Sequence, residues 1–234
     1  MTALISVIIP TLNEAQHLAA TIAQVQAAAS QPLEIIVVDG GSQDGTIEIA
    51  RSLNCLVLQS CIGRAAQMNA GANSATGEIL LFLHADTQLP KQFDRFVLET
   101  LEQPWVIAGA FDLTIAKPKE FLQKLGLQLI ELGVKLRSRF CQLPYGDQAI
   151  FLRAKTFRDL GGFPEIPIME DFVLMRRIRK LGKVAIAPAS VLTSARRWQK
   201  LGVLKTTLIN QAIILGFYAG IDPERLRQWY RKQR

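Results

Sequence analysis

The first third of the chain alternates between short apolar runs and segments with helical periodicity. The short apolar runs predict strands at Leu4–Ile9, Glu34–Val38, Leu56–Gln59 and Glu78–Leu83, with Leu4–Ile9 expected to be buried and Glu34–Val38 rich in β-branched residues. The segments between them predict helices at Ala15–Ala29, Thr46–Leu53 and Arg64–Ala75. Strands alternating with helices at this spacing predict an α/β fold with a mainly parallel sheet, and the unbroken apolar runs predict helices on both faces.

The second half of the chain is less regular. It predicts strands at Gly109–Ile115 and Ala149–Leu152, a short helix ending in a turn at Leu160–Pro164, and a helix at Glu170–Leu181. A further helix is predicted at Phe121–Leu136. Its leucines are spaced 3, 4, 3 and 4 apart on one face, at Leu122, Leu125, Leu129, Leu132 and Leu136. Such a face is expected to pack against a core or an interface.

The division of the chain follows from the absence of repeats, low-complexity stretches and linkers in the sequence. We predict one domain over residues 1–200. Residues 201–234 are predicted to form a basic, amphipathic helical extension packed on it. At 49% hydrophobic and 20% charged residues, the composition is that of a globular protein, not of a disordered tail or a fibre.

The charge of the chain is unevenly distributed. The formal net charge is +7, but residues 1–171 carry 13 basic and 18 acidic residues, whereas residues 172–234 carry 14 basic and 2 acidic residues. A basic end containing Trp229 and Tyr230 suits an anionic membrane surface. The alternative is a solvated basic face. Nucleic-acid binding is not predicted, because no recognised motif accompanies the charge.

Three cysteines, Cys55, Cys61 and Cys141, form neither a disulfide framework nor a four-ligand zinc site. The first residues lack the basic and apolar regions of a signal peptide. No apolar run reaches the roughly 18 residues of a membrane-spanning helix. We therefore expect a cytoplasmic protein, with peripheral contact at the inner face of the membrane as a further expectation.

Polar residues stand at three boundaries of the predicted elements: after two apolar strands and at the start of a helix. Asp39 precedes two glycines, which let a backbone approach a ligand. Asp86 ends His84-Ala85-Asp86 and suits a divalent cation held against phosphate. Glu170 and Asp171 open a helix and suit general-base catalysis. Taken singly, each is equally explained as a turn or a helix cap. In an open α/β sheet, however, such residues meet at the carboxyl edge of the strands.

The order of the motifs is more informative than any one of them. VIIPTLNE, VVDGGSQDGT, Arg64 with MNAGANSATGEILLFLHADT, and LGGFPEIPIMED occur in sequence. In this order they resemble the family 2 glycosyltransferases of GT-A fold, over roughly residues 4–198. The resemblance is strongest to a bacterial subgroup with HADT, LPYGDQAIF, PIMED and SARRW. It implies a GT-A type, Rossmann-like sheet with a helical C-terminal region, and inverting sugar transfer from a nucleotide-diphosphate sugar to an acceptor hydroxyl.

The resemblance also implies roles for individual residues. The donor nucleotide would be contacted by Pro10, Thr11, Glu14, Asp39, Gly41, Arg64, Ala85 and Asp86. The general base would be Asp171, with Glu170 as the fallback. Acceptor or diphosphate contacts would come from Asp147, Arg196, Arg197 and Trp198.

The metal site departs from the family pattern at one position. His84 stands where the first Asp of a D-x-D motif is usual, while Asp86 matches the last Asp. The implied cofactor is a divalent cation, Mn²⁺ or Mg²⁺. His84 is either a metal ligand beside Asp86 or a hydrogen-bond partner of ribose or phosphate.

Other functions remain open at this level. A nucleotidyltransferase also uses an α/β nucleotide site, but its glycine-rich loop is absent after the first strand. A dinucleotide dehydrogenase would need G-x-G-x-x-G at that point. The non-enzymatic alternative is a membrane-associated protein that only binds nucleotide sugars. The donor base and sugar, and the acceptor, which is lipid-linked in one hypothesis, are not specified by the residues.

Overall fold

A computed structural model describes residues 3–116 and 121–233, except for the side chains of Phe121 and Leu122. Its strands are β1 Ile5–Thr11, β2 Glu34–Asp39, β3 Leu56–Gln59, β4 Ile79–Phe82, β5 Thr87–Gln88, β6 Val106–Ile115, β7 Phe151–Arg153 and β8 Lys183–Thr193. Its helices are α1 Ala15–Ala28, α2 Thr46–Ser52, α3 Arg64–Ser74, α4 Phe93–Leu101, α5 Phe121–Phe140, α6 Ala154–Asp159, α7 Glu170–Ile178, α8 Arg196–Leu201, α9 Val203–Tyr218 and α10 Pro223–Lys232.

All eight strands form one sheet in the order β3-β2-β1-β4-β7-β6-β8-β5. The first four strands pair in parallel. β7 runs antiparallel to both β4 and β6, and β6 pairs in parallel with β8. The α/β fold predicted from the sequence is thus confirmed. Its first half matches closely, because each buried strand there is a single apolar run.

Successive residues of β1 face opposite sides of the sheet, as the pleat requires. Val7 and Ile9 belong to the hydrophobic cluster that contains α1, whereas Ile8 belongs to the cluster that contains α3. The predicted inner face of α1 is confirmed, since its three large apolar residues are fully buried: Leu18, Ile22 and Val25. Helices therefore cover both faces of the parallel half.

The expectation that the leucine face of α5 packs in the core is wrong. Leu125, Leu129, Leu132 and Leu136 are 48%, 64%, 52% and 47% exposed, and Phe140 is 80% exposed. The side chain of Leu122 lies outside the described part of the chain. The cause is a second apolar stripe on α5. It contains the buried Leu127 and the half-buried Ile130 and Val134, and it packs on the sheet instead.

Two elements, β8 and α4, have no clear sequence signal. β8 contains Pro188, and the register of β6 with β8 shifts between Ala110 and Asp112, opposite the segment that holds this proline. Proline in a strand is tolerated at such irregularities but weakens the strand pattern. The N-cap of α4 is Gln92, which has a positive φ of 57° and no side-chain cap hydrogen bond. The sequence therefore carries none of the usual N-cap residues to mark the start of this helix.

The C-terminal helices α9 and α10 pack against α7. The ring of Phe172 in α7 lies 5.8 Å from that of Phe217 and 5.5 Å from that of Tyr218, both in α9. Ile213 of α9 and Leu226 of α10 are buried in the same cluster as Phe172. Within residues 3–116 and 121–233, no helix combines the length and the apolar character needed to cross a membrane.

Candidate functional site

The loops after β1 and β2 are joined by hydrogen bonds at the carboxyl edge of the sheet. The amide N–H of Asn13 donates to Ser42 Oγ over 2.8 Å, and Asn13 Oδ1 accepts from the amide N–H of Gln43 over 2.9 Å. The amide N–H of Glu14 donates to Thr46 Oγ1 over 3.0 Å. These bonds join Asn13 and Glu14 to the loop and helix that follow Asp39.

Asp39 organises the loop that follows it. The side chain is fully buried, and Oδ2 accepts from the amide N–H groups of Gly41 and Ser42 over 2.7 and 2.8 Å. Oδ1 accepts from the hydroxyls of Ser42 and Thr11. Gly41 has a φ of 96°, which a side chain disfavours. The reading of a nucleotide base by Asp39 stays a prediction.

Asp171 is held by two backbone donors at the start of α7. The amide N–H of Gly146 donates to Oδ2 over 2.7 Å, and that of Phe172 donates to Oδ1 over 2.7 Å. Gly146 belongs to the loop before β7. Because β7 runs antiparallel to β4, its first residue lies at the same edge as the ends of β1 and β4. Asp171 therefore has a fixed orientation while remaining partly exposed.

Glu170 has a different environment from its neighbour. It is 6% exposed, and burial together with the charge of Asp171 raises its pKa to about 7, against the opposing charge of Arg64. A buried carboxyl group lacks access to an acceptor hydroxyl. This contrast favours Asp171 over Glu170 as the general base.

Arg64 begins α3 and lies within electrostatic range of three titratable groups of the site. Burial raises the pKa values of Asp147 and Glu170, and the charge of Arg64 opposes that rise. Burial lowers the pKa of His84, and the charge of Arg64 lowers it further. A cation in the first turn of a helix is opposed by the helix dipole.

His84 lies beside the loop that precedes β7. Burial and the charge of Arg64 lower its pKa to about 3, although Asp86 opposes the shift. An ideal Cβ added to Gly146 would lie 3.2 Å from His84 Nε2 and 3.4 Å from Asp171 Oδ2. His84 Nε2 and Asp147 Oδ1 are enclosed, with no hydrogen-bond partner among the described residues. Such atoms are typical of a site whose partner is a ligand.

Asp86 is paired with an arginine from the C-terminal region. Nη2 of Arg196, the first residue of α8, lies 2.8 Å from Asp86 Oδ2 and 3.4 Å from Glu14 Oε2. This contact brings together three residues that the sequence predicts for the site. Ala85 is buried, and its carbonyl accepts from Thr21 Oγ1 over 2.6 Å, which fixes the backbone beside Asp86.

The residues at the end of β4 fit a hard divalent cation only if a bound ligand supplies further oxygen atoms. No cluster of three or more His, Cys, Asp or Glu side chains in the described ranges 3–116 and 121–233 forms a metal site. Mg²⁺ and Mn²⁺ are, however, commonly held by one or two carboxylates plus substrate phosphates. Asp86, partly exposed at the edge, fits that arrangement, and the enclosed Nε2 of His84 is a nearby nitrogen without a protein partner.

Two predicted acceptor residues have other contacts. The guanidinium of Arg197 lies 4.7 Å from the centre of the Tyr230 ring in α10, and Trp198 packs against the hydrophobic cluster around α1. Their acceptor roles stay predictions.

The sequence did not single out Gln67, whose Nε2 donates to the carbonyls of Thr11 and Val38 over 2.7 and 2.8 Å. The only feature of the sequence that could have identified Gln67 is the position of a side-chain amide on an otherwise apolar face of α3.

Comparisons with known proteins show what the chain is similar to. Two curated relatives cover only part of the chain. The undecaprenyl-phosphate 4-deoxy-4-formamido-L-arabinose transferase of Aeromonas hydrophila is 29% identical over 154 residues, covering 61% of this chain and 47% of that protein. Glycosyltransferase AglE of Haloferax volcanii is 38% identical over 98 residues, covering 38% of this chain and 32% of that protein. The chain thus spans about half the length, or less, of these relatives.

Solved structures show the same fold. The mannosyltransferase PcManGT of Pyrobaculum calidifontis, solved with GDP-Man and Mn²⁺, has a TM-score of 0.66 at 21% identity, covering 99% of this chain and 69% of that one. TarS of S. aureus, solved with UDP, has a TM-score of 0.65 at 18% identity, covering 88% and 66%. The chain has the GT-A fold. A family model described as glycosyl transferase family 2 matches residues 6–160, and the chain therefore belongs to glycosyl transferase family 2.

Proposed function

We propose that the protein is an inverting glycosyltransferase that moves a sugar from a nucleotide-diphosphate sugar to an acceptor hydroxyl. The observation that carries this proposal is the orientation of Asp171 by two backbone N–H donors, at the edge where the β1, β2 and β4 loops meet. A hydroxyl nucleophile needs a base already within hydrogen-bond reach. A pre-oriented, partly exposed carboxylate meets that need.

The chemistry assigned to each group follows from its charge and exposure. Asp171 takes the proton from the acceptor hydroxyl, whose oxygen forms the new bond to the anomeric carbon. The bond from that carbon to the diphosphate breaks on the opposite face, and its electron pair leaves with the diphosphate. In this proposal Arg64 stabilises the negative charge that develops on the diphosphate. A divalent cation at Asp86 would supply further charge neutralisation.

The relatives support a nucleotide-sugar donor without specifying it. The structural neighbours are described with GDP-Man and Mn²⁺ in one case and with UDP or UDP-GlcNAc in another. The carboxylate of Asp39 is buried and accepts from its own loop, so the class of base rests on these neighbours. We therefore propose a donor of the UDP or GDP class.

A binding screen followed by a turnover assay tests the proposal. One nucleoside diphosphate is expected to raise the melting temperature, because a ligand bound only by the folded state stabilises it by mass action. The matching nucleotide sugar is then expected to be hydrolysed slowly to that diphosphate. Release of pyrophosphate from a nucleoside triphosphate and a sugar phosphate would instead identify a nucleotidyltransferase. Binding without any turnover would leave only a nucleotide-sugar-binding protein.

We further propose that the enzyme works at an anionic membrane surface. Leucines are exposed on α5 and also on α9, where Leu204, Leu208 and Leu215 are 73%, 60% and 67% exposed. The two helices touch, since Gly126 of α5 lies against Val203 of α9. Exposed apolar faces of this kind mark interaction sites. The curated relatives that act on undecaprenyl phosphate make a lipid-linked acceptor the matching hypothesis.

The charges beside these leucines match an anionic lipid surface. Lys124 and Lys135 on α5 and Lys205 on α9 are exposed. The single acidic residue of α5, Glu131, instead accepts from the amide N–H of Ile115 over 2.7 Å. An apolar stripe edged by cations and without a free carboxylate favours negatively charged headgroups.

Co-sedimentation with vesicles containing phosphatidylglycerol tests the membrane surface. A Leu129→Gln/Leu132→Gln variant is expected to bind these vesicles about tenfold or more weakly, since each leucine contributes about 1.5–3 kcal/mol when buried. Leu181→Gln is the matched control, because Leu181 is 63% exposed outside these two helices. Wild-type protein that does not co-sediment with the vesicles would contradict the proposal. If the wild type were a dimer in solution and the double variant a monomer, the face would be an interface between two copies.

A further inference from the structure

A fully buried glutamine adjoins the loop residue that orients Asp171. Gln148 ends the single 3₁₀ turn Gly146–Gln148 and is 0% exposed. Its Nε2 donates to the carbonyl of Phe111 in β6 over 2.9 Å. Its Oε1 accepts from three donors: Nη2 of Arg137 over 3.1 Å, Oγ of Ser138 over 2.8 Å and the amide N–H of Tyr145 over 3.2 Å. One side-chain amide therefore ties the end of α5 and a residue of β6 to the loop before β7.

The partners of Gln148 fix which way its amide points. A guanidinium and a backbone N–H can only donate, whereas a backbone carbonyl can only accept. An amide turned by half a rotation would face these donors with its NH₂ group and the Phe111 carbonyl with its oxygen. Because buried polar groups without partners are costly, Oε1 is the atom that faces Tyr145.

Gln148 holds the backbone of Tyr145 on both sides. Its side chain accepts from the Tyr145 N–H, and its own backbone N–H donates to the Tyr145 carbonyl over 3.0 Å. That carbonyl shares one rigid peptide plane with the N–H of Gly146. The direction of the Gly146 N–H, which donates to Asp171 Oδ2 over 2.7 Å, is therefore set by how Tyr145 is held.

The beginning of the same loop has a separate anchor. Nε of Arg137 donates to the carbonyl of Leu143 over 3.0 Å, and the guanidinium carbon lies 3.5 Å from the centre of the Tyr145 ring. These contacts do not involve the Gln148 amide. Its loss is thus expected to loosen the peptide between Tyr145 and Gly146 while the start of the loop stays in place.

We propose that Gln148 is a positioning residue for the general base. Its amide fixes the peptide whose N–H orients Asp171, and it acts on the proton transfer only through that carboxylate. This inference deepens the proposed function and rests on it for the role of Asp171. A misplaced base costs up to about 10²-fold in rate, because the reacting atoms leave hydrogen-bond reach.

A double-mutant cycle separates positioning from a merely structural role. Gln148→Met keeps the length of the side chain and removes its acceptor. It is expected to lower kcat by about 10- to 100-fold, while the Kd and the stoichiometry of nucleoside diphosphate binding stay unchanged. In an Asp171→Asn background the same substitution is expected to change the residual rate less than about twofold, since residues that act through one group are not additive. An equal loss in both backgrounds would overturn the proposal.

A conservative variant and a matched control narrow the interpretation. Gln148→Glu keeps an oxygen at the Oε1 position and is expected to restore most of kcat. Gln24→Met is the control, because both ends of the Gln24 amide bond to the backbone of Leu89, outside the site. We expect it to leave kcat unchanged. If kcat were as low in Gln148→Glu as in Gln148→Met, the acceptor would not be what positions the loop, and the proposal would fail.

Amide exchange at Gly146 tests the geometry without any donor. The sequence contains one Tyr-Gly pair, so carbonyl-¹³C tyrosine combined with ¹⁵N glycine selects the Gly146 N–H in an NMR spectrum. Gln148→Met is expected to make this exchange about two- to tenfold faster, the equivalent of one lost hydrogen bond, with Gln24→Met unchanged. Wild-type exchange in Gln148→Met would refute the role of Gln148.

A second substitution keeps this test decisive if the methionine variant does not fold. Gln148→Asn withdraws the same amide by one methylene group and keeps its polarity, so it is expected to shift kcat and Gly146 exchange in the same directions. Wild-type values of both would overturn the proposal. Full activity in Asp171→Asn alone would instead refute the proposed base, so failure of the proposed function is distinguishable from failure of this inference.

Discussion

Replacement of Asp171 by Asn is expected to lower kcat by about 10²–10⁴-fold, the usual contribution of a general base. The substitution removes the proton acceptor and keeps the size of the side chain. Its amide oxygen can still accept from the Gly146 N–H, which donates to Oδ2 over 2.7 Å in the native protein. The loop before β7 is therefore expected to keep its position, and the Kd for the nucleoside diphosphate to stay within about twofold of wild type.

The measurement pairs steady-state turnover with calorimetric binding of the diphosphate. Glu170→Gln is the informative neighbour, because Glu170 is 6% exposed and its pKa is raised to about 7, mainly by burial. We expect it to retain most of kcat. Asp159→Asn is a surface control, since Asp159 is exposed and pairs only with Lys155 among its described contacts. Full activity in Asp171→Asn, or a larger loss in Glu170→Gln, would assign the base to Glu170 or elsewhere.

The sequence predicted the parallel half of the fold because its information there is local. The strand Leu56–Gln59 was placed at its observed bounds, since an apolar run between two turns has one simple explanation. β8 is different. Its pairing with β6 passes the irregularity around Pro188 and depends on residues far away in the chain. The hydrophobic pattern of a short sequence segment carries no information about which distant strand that segment pairs with.

The site residues divide in the same way. The strand-ending residues Asp39 and Asp86 were predictable, because a parallel sheet brings the ends of its strands to one edge. Gly146 was not, because its contact with Asp171 spans 25 residues and depends on the antiparallel direction of β7. The leucines of α5 could not be assigned either, since spacing identifies a helix face but not what covers it.

Arg64 is the second residue whose removal should nearly abolish activity. It lies in the first turn of α3, where the helix dipole disfavours a cation. Burial raises the pKa values of Asp147 and Glu170 against the opposing charge of Arg64, and the same charge adds to the lowering of the His84 pKa by burial, so Arg64 stands within range of all three. Arg64→Gln is expected to lower kcat/KM for the nucleotide sugar by about 10²–10³-fold. That range is typical when one preorganised group that stabilises developing charge is lost.

The division of this loss between KM and kcat identifies when the charge acts. If Arg64 holds the diphosphate throughout, the diphosphate Kd rises with KM. If it acts mainly as the leaving group gains charge, kcat falls while Kd changes little. Arg51→Gln, an exposed arginine in the last turn of α2, is the matched control and should leave both unchanged. Wild-type kcat/KM in Arg64→Gln would remove Arg64 from the diphosphate site. The neutralising charge would then have to come from Arg196, or from the cation at Asp86.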